Sequence, residues 1–255
     1  MSISLLQELI RKRKTPLLLG LGPEAERIAP KIRNSFTEMY GESVMATAEA
    51  LRYHGCQVLD AAAEHVAGVV LDAGAYLRYG AMGFDVLANL VGAAKSRGLY
   101  AVVDARSASA AAWLAGVPQA DAVTVLPWLG GDACDAGDDK AVFALVTTDN
   151  PSAADTQRLI AGDRKLFLAA AEQMARAGAA LMLESGYALD IRDVRRKLDK
   201  TFLLLTHCTP QAAESAFDDY GHGAALVDDA VQYAPDLSAA VEKAVSEMKE
   251  WVTVV

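Results

Sequence analysis

Residues 100–113, YAVVDARSASAAAW, open with an apolar run, close it on a lone acid, Asp104, and continue into small side chains. A half-buried surface strand alternates apolar and polar residues with period two. A short run that is apolar throughout is the pattern of a parallel strand covered on both faces. Seven further runs of this kind follow or precede it: LLLGL 17–21, GVVLD 68–72, DAVTVL 121–126, VFALVT 142–147, AALML 179–183, FLLL 202–205 and AALV 224–227.

Parallel strands need crossovers, and the segments between the runs supply them. Apolar spacing predicts helices over 76–97, closing at Gly98, and over 155–177, closing at Gly178. Shorter helices are expected over Ser4–Lys12, 107–116, 187–198, 210–220 and 236–251, with at least two across 24–63 and a break near Gly41. Eight strands alternating with helices over this length predict an α/β fold, a (β/α)8 TIM barrel. A doubly wound open sheet fits less well, because GLGPEAERIAP at 20–30 lacks the later glycines of a dinucleotide fingerprint. With no repeat, low-complexity tract or linker, the expectation is one domain over residues 1–255.

The chain has 255 residues, is 53% hydrophobic and carries a formal charge of −9. Its one basic cluster, RKRK at 11–14, reads as a solvated helix end, so nucleic acid is not expected as a partner. Cys56, Cys134 and Cys208 are odd in number and contain no C-x-x-C pair, which argues against a disulfide framework or a zinc site and fits a reducing cytoplasm. No run of 18 apolar residues is present and the first residues lack a cleavage-like site, so a soluble, unprocessed chain with no membrane partner is expected.

In a barrel, chemistry sits at the C-terminal ends of the strands. Those ends carry Gly20–Pro23, Leu71–Ala73, Asp104–Ser109, Pro127–Gly131, Thr147–Pro151, Glu184–Gly186, Thr206–Gln211 and Asp228–Asp229. Five of these pieces, in order, resemble the bacterial orotidine 5′-phosphate decarboxylase family that carries a Thr-Ser-Asn segment. LLLGLGP is similar to the family's Gly-Leu-Asp-Pro, VVDARSAS to its Asp-x-Lys-x-x-Asp, and ADAVTVLPWLGGD to Ala-Asp-Ala-Val-Thr-Val-Asn-Pro-Tyr-Leu-Gly. VTTDNPSAADTQ is similar to Arg-Thr-Ser-Asn-Pro followed by Gln, and THCTPQAA stands at the Pro-Gly-Val-Gly-Ala-Gln-Gly-Gly loop.

The resemblance implies a barrel whose family decarboxylates a nucleotide through a Lys-Asp-Lys-Asp network, with no cofactor and no metal. Those four places fall on Leu71, Asp104, Arg106 and Ser109. A guanidinium is a poor proton donor at neutral pH, and a serine exerts no charge stress on a carboxylate. The family's ribose-binding Asp falls on Gly22, and Thr148 and Asn150 match the Thr-Ser-Asn segment. Gln211 alone persists from the glycine loop, Pro210 has no N–H to donate, and the phosphate-binding Arg falls on Asp229 beside Asp228.

Asp104 reads either as a retained catalytic acid or as a helix cap paired with Arg106. The rim acids with His207 read as metal ligands or, more simply, as solvated loop groups; His207 has no carboxylate orienter visible in the sequence, and Cys208 reads as packing. The function expected is a degenerate decarboxylase homologue, a pseudoenzyme, paired as a homodimer or with an active paralogue, since the family's strand-three Asp reaches a neighbouring site. The alternatives are an active or weakly active decarboxylase or related lyase on a nucleotide or sugar phosphate, and a barrel mouth that binds a different small molecule.

Overall fold

The computed structural model describes residues 2–137, 139–184, 188–218 and 221–254. Eight parallel strands close into a ring: β1 Leu17–Leu21, β2 Gly68–Asp72, β3 Tyr100–Ser107, β4 Ala122–Val125, β5 Ala141–Thr147, β8 Ala180–Glu184, β9 Leu203–Thr206 and β10 Gly223–Val227, with β10 pairing β1. The remaining strands, β6 Ile160–Ala161 and β7 Arg164–Lys165, form a small antiparallel hairpin outside the ring. The expected (β/α)8 TIM barrel is therefore present, and the open-sheet alternative is excluded by ring closure.

Every residue of β1, β4, β5 and β9 is buried, which is why these strands read as continuous apolar runs. The helices that cover them are one-sided. α3 (Val44–Ala62) buries Leu51, Val58, Leu59 and Ala62; α5 (Gly80–Ser96) buries Val86, Leu87, Leu90 and Val91; α12 (Leu237–Trp251) buries Val241, Val245 and Met248. Each fully buried Val or Leu contributes roughly 1.5–3 kcal/mol relative to exposure. Leu6 and Ile10 anchor α1 (Ser2–Arg13), and its basic end is used locally: Arg13 donates to the Ala63 carbonyl at 2.7 Å and to Glu64 at 3.0 Å. Among the described residues no helix is long and apolar enough to cross a membrane.

Two expected helices are broken. The helix read over 155–177 is α7 (Ala153–Gln157), then the β6–β7 hairpin, then α8 (Leu166–Arg176). Gly162, at φ 71°, makes the hairpin turn with Asp163, and the helical apolar spacing ran across that turn without seeing it. The helix read over 76–97 is α4 (Ala73–Leu77) followed by α5, which opens on Gly80 at φ 68°. Gly83 permits the fold-back: a Cβ there would stand 1.9 Å from the Tyr76 carbonyl oxygen. The helix over 107–116 shrinks to α6 (Ala111–Leu114), because β3 runs on to Ser107. The remaining expected helices match α2 (Pro30–Tyr40), α3, α9 (Ala188–Lys197), α10 (Pro210–Ala216) and α12 within a few residues, and Gly41 is the break in 24–63 at φ 69°. The last residues of the 210–220 expectation, and Tyr187 of the 187–198 one, lie outside the described residues.

Candidate functional site

Because all eight strands run the same way, their C-terminal ends share one face, and there they surround a cavity of about 250 Å³. Of the residues singled out in the sequence, the cavity gathers Gly22, Asp104, Arg106, His207 and Asp229, together with the rim acids Asp72, Glu184 and Asp228. Leu71 is fully buried, Ser109 is exposed and hydrogen-bonded to Ser107, and Thr148, Asn150 and Gln211 do not line the cavity. The strand-end residues Ser185 and Gly186 lie outside the described residues.

Arg106 reaches the cavity by a backbone irregularity. The β3–β4 register shifts between Val103 and Ser107, and Arg106 within the shift has φ 44°, a left-handed conformation costly for a side chain of this size. Thr124 of β4 holds the bulge together: its hydroxyl accepts the Arg106 N–H at 2.8 Å and donates to Asp104 Oδ1 at 2.5 Å. The Arg106 guanidinium donates to Glu184 Oε1 at 2.6 Å and, more weakly, to Asp104 Oδ2 at 3.4 Å. Burial works against its charge, and the two carboxylates outweigh burial, so its pKa is raised above the ordinary arginine value. Asp104 therefore pairs with Arg106 as expected but caps no helix: it lies inside β3, and the N-cap of α6 is Ala110.

The first and last strands meet at the opposite side of the mouth. Gly20 and Gly22 flank Leu21 there, and a Cβ on Gly22 would lie 2.9 Å from the Asp72 Cβ, while one on Gly20 would lie 2.6 Å from the Asp228 Cβ. Asp72 caps α4 through the amides of Gly74 and Ala75, and Asp228 accepts the Asp229 N–H at 2.6 Å. Asp229 is not left unpaired. Arg27 donates to its Oδ2 at 2.6 Å and stacks on the Tyr233 ring at 3.8 Å, while Gln232 donates to its Oδ1 at 2.9 Å. Burial pushes the Asp229 carboxyl up, but these hydrogen bonds prevail and hold it below the usual carboxylate range. Gln232 also accepts the Gly22 N–H at 3.3 Å, tying the two chain ends of the barrel together.

His207 follows β9 at φ 48°, and its Nδ1 lies 2.8 Å from Asp149 Oδ2. The carboxylate orienter that the sequence did not reveal is thus Asp149, 58 residues away in the chain. Beyond it, Thr209 caps α10 through the Ala212 N–H, so the stretch that resembles a glycine loop is folded as a helix start. Burial pushes the Cys208 thiol up to about 12, which makes it a neutral wall group and agrees with its reading as packing. Thr148 is knitted into its own loop, donating to Asn150 Oδ1 at 2.6 Å and accepting from Gln157 Nε2 at 2.6 Å. Among the described residues no group of three or more His, Cys, Asp or Glu side chains is arranged to hold a metal ion.

No family model matches the chain. The orotidine 5′-phosphate decarboxylase of Deinococcus radiodurans is 31% identical over 230 residues, which span 77% of this chain and 83% of that protein. The chain belongs to the orotidine 5′-phosphate decarboxylase family. The decarboxylase of Caldicellulosiruptor saccharolyticus is 29% identical over 205 residues, 71% of this chain and 67% of that protein. Among solved structures, Leishmania donovani OMP decarboxylase superimposes with a TM-score of 0.81 at 22% identity over 98% of each chain, a likeness of fold.

Against this orotidine 5′-phosphate decarboxylase background, two contributors to the site, Thr124 and Arg27, were not singled out in the sequence, and the pairing of a third, Glu184, was not visible there. Glu184 was one rim acid among several; only the β8 placement brings it to Arg106. Thr124 lies inside an apolar run and shows itself as polar only by its buried hydroxyl, and Arg27 lies on a short 3-10 turn just beyond the LLLGLGP piece, with nothing in the sequence to pair it with Asp229.

Proposed function

We propose that this member of the orotidine 5′-phosphate decarboxylase family is a pseudoenzyme, a barrel whose mouth has lost the family's proton donor and nucleotide grip. The observation that carries this is Arg106. It stands where the family resemblance puts the central lysine, yet it is engaged by Glu184 and Asp104, and its pKa is raised. A guanidinium so held does not deliver a proton to a carbanion at neutral pH.

The grip is altered in the same direction. Gly22 presents no carboxylate to ribose hydroxyls, Asp229 binds Arg27 rather than standing as a cation, and Gln211 lies outside the cavity. Leu71, where the family has its other lysine, is packed into the barrel wall, and Ser109 is exposed, away from the cavity. A partner role, as a homodimer or beside an active paralogue in the cytoplasm, has support at the rim. Trp128, Leu129, Leu159 and Ile160, each more than half exposed, follow the ends of β4 and β5.

A second reading, residual or altered lyase chemistry, rests on the 2.8 Å His207–Asp149 pair, an arrangement able to hold a proton. One experiment separates the two. Loss of orotidine 5′-phosphate absorbance is followed with the purified protein alone and mixed with any paralogous barrel from the same source, beside calorimetric titration with uridine monophosphate. We expect background turnover alone and no binding in the micromolar range. Turnover above background, or micromolar binding, refutes the pseudoenzyme reading.

A further inference from the structure

The mouth cavity has a neighbour at the barrel rim. A second cavity, of about 190 Å³, adjoins it and shares His207, Leu226 and Asp228 with it. This annex lies beside the ends of β9 and β10, the seventh and eighth barrel strands, where TIM barrels commonly seat a phosphate on loop amides and a helix start. Here its walls are of the opposite kind. Leu17, Val227, Ala244, Met248 and Trp251 line it, joined by the neutral Cys208 thiol.

The charge around the two cavities is equally unsuited to an anion. Among the described residues, five carboxylates line the mouth, those of Asp72, Asp104, Glu184, Asp228 and Asp229, against the single guanidinium of Arg106, which Glu184 and Asp104 already occupy. Arg27, the nearest further cation described above, is committed to Asp229. The annex adds Glu247 and, among the described residues, no lysine or arginine. Asp228 stands at the junction of the two cavities, with Oδ1 accepting the Asp229 N–H and Oδ2 accepting nothing among the described residues.

We propose that the two cavities open to one another past Asp228 and together bind a small organic cation, an ammonium group carried on an aromatic or branched aliphatic body. The ammonium sits at Asp228, facing the mouth carboxylates, and the apolar body fills the annex between Met248 and Trp251. Binding sites of this type combine an apolar pocket with a few convergent polar groups, and here the polar groups are uniformly acceptors of a positive charge. The proposal rests on the reading that the mouth no longer grips the family's nucleotide, and it adds what replaces it.

The test uses two probes of one shape and opposite charge, 2-phenylethylammonium and 3-phenylpropionate, titrated into the full chain by NMR. The indole N–H of Trp251 is the reporter, and those of Trp113 and Trp128 are controls. We expect the ammonium to shift the Trp251 signal saturably and to bind at least tenfold more tightly than the carboxylate. Asp228→Asn, which keeps an oxygen for the Asp229 amide, is expected to erase that preference, and Ala244→Trp to abolish binding by filling the annex. Where Ala244→Trp does not fold, the Trp251 shift in the unsubstituted chain decides. Equal or tighter binding of the carboxylate, or a preference that survives Asp228→Asn, overturns the proposal. Uridine monophosphate added to the same sample keeps the two readings apart: its binding would sink the pseudoenzyme reading, whereas failure of the ammonium alone sinks only this one.

Discussion

Arg106 Nη2 lies 2.6 Å from Glu184 Oε1, a contact made across the barrel mouth between the ends of β3 and β8 by residues 78 apart in sequence. The guanidinium is 46% exposed while the Glu184 and Asp104 side chains are only 11% and 10% exposed, so the carboxylates depend on the pair more than the arginine does. Arg106→Met leaves two largely buried acids facing each other without a cation. A loss of about 1–2 kcal/mol is expected after allowing for the solvent that screens the exposed arginine. Glu184→Gln keeps an acceptor for the guanidinium and is expected to cost about half as much. Urea midpoints of the two variants check this; a Glu184→Gln loss larger than that of Arg106→Met would show that the acids, not the arginine, organise the mouth.

Restoring the family's aspartate at position 22 is expected to harm the protein. The Cβ of Gly22→Asp meets the Asp72 Cβ at 2.9 Å, and its carboxylate joins the Asp72 and Asp228 carboxylates around the mouth. Overpacking and like charge together are expected to cost about 1–3 kcal/mol. Thermal unfolding measures it, and a gain in melting temperature would contradict the crowding described for the seam between β1 and β2.

The two left-handed side chains at the mouth are predicted to separate on replacement by glycine. His207→Gly relieves φ 48° and gives up one exposed contact to Asp149, so stability is expected to be unchanged or to rise by up to about 1 kcal/mol. Arg106→Gly relieves φ 44° but loses the Glu184 and Asp104 pairs, and a net loss is expected. Parallel denaturation curves decide; equal behaviour of the two variants would mean that backbone strain, rather than the ion pairs, dominates.

His54 on α3 sets an acid-side limit. Burial lowers its pKa, with a smaller opposing contribution from the Gln232 main chain, and its Nε2 has no hydrogen-bond partner among the described residues. The folded chain therefore favours the neutral ring. Its contribution is complete above the unfolded-chain value of about 6.5 and is lost as pH falls toward and through the lower folded value. Stability measured between pH 7 and pH 5 should fall on acidification, and His54→Gln should flatten that slope. An unchanged slope in His54→Gln would place the acid sensitivity elsewhere.

The barrel was legible because burial on both faces erases alternation, leaving eight apolar runs whose order is the order of the ring. What misled the reading of 155–177 was local: Gly162 and Asp163 make a two-residue turn inside apolar spacing that fits a helix on either side of it. The strand ends put Gly22, Asp104, Arg106, His207 and Asp229 at the mouth, but the pairing there was legible only where one strand carries both partners, as with Asp104 and Arg106. Glu184, Asp149 and Arg27 are ordinary surface charges in sequence, and only closure of the ring brings them to Arg106, His207 and Asp229. A contact between residues tens or hundreds of positions apart leaves no trace in local pattern, so the mouth's charge pairing had to be seen.

Gln232 accepts the Gly22 N–H and donates to Asp229, at the junction where β10 completes the ring against β1. That junction pairs the first strand of the ring with the last. During synthesis the first strand must therefore wait, with one edge open, until more than two hundred further residues have been made. Ring closure is therefore open only to a chain whose last barrel strand has left the ribosome.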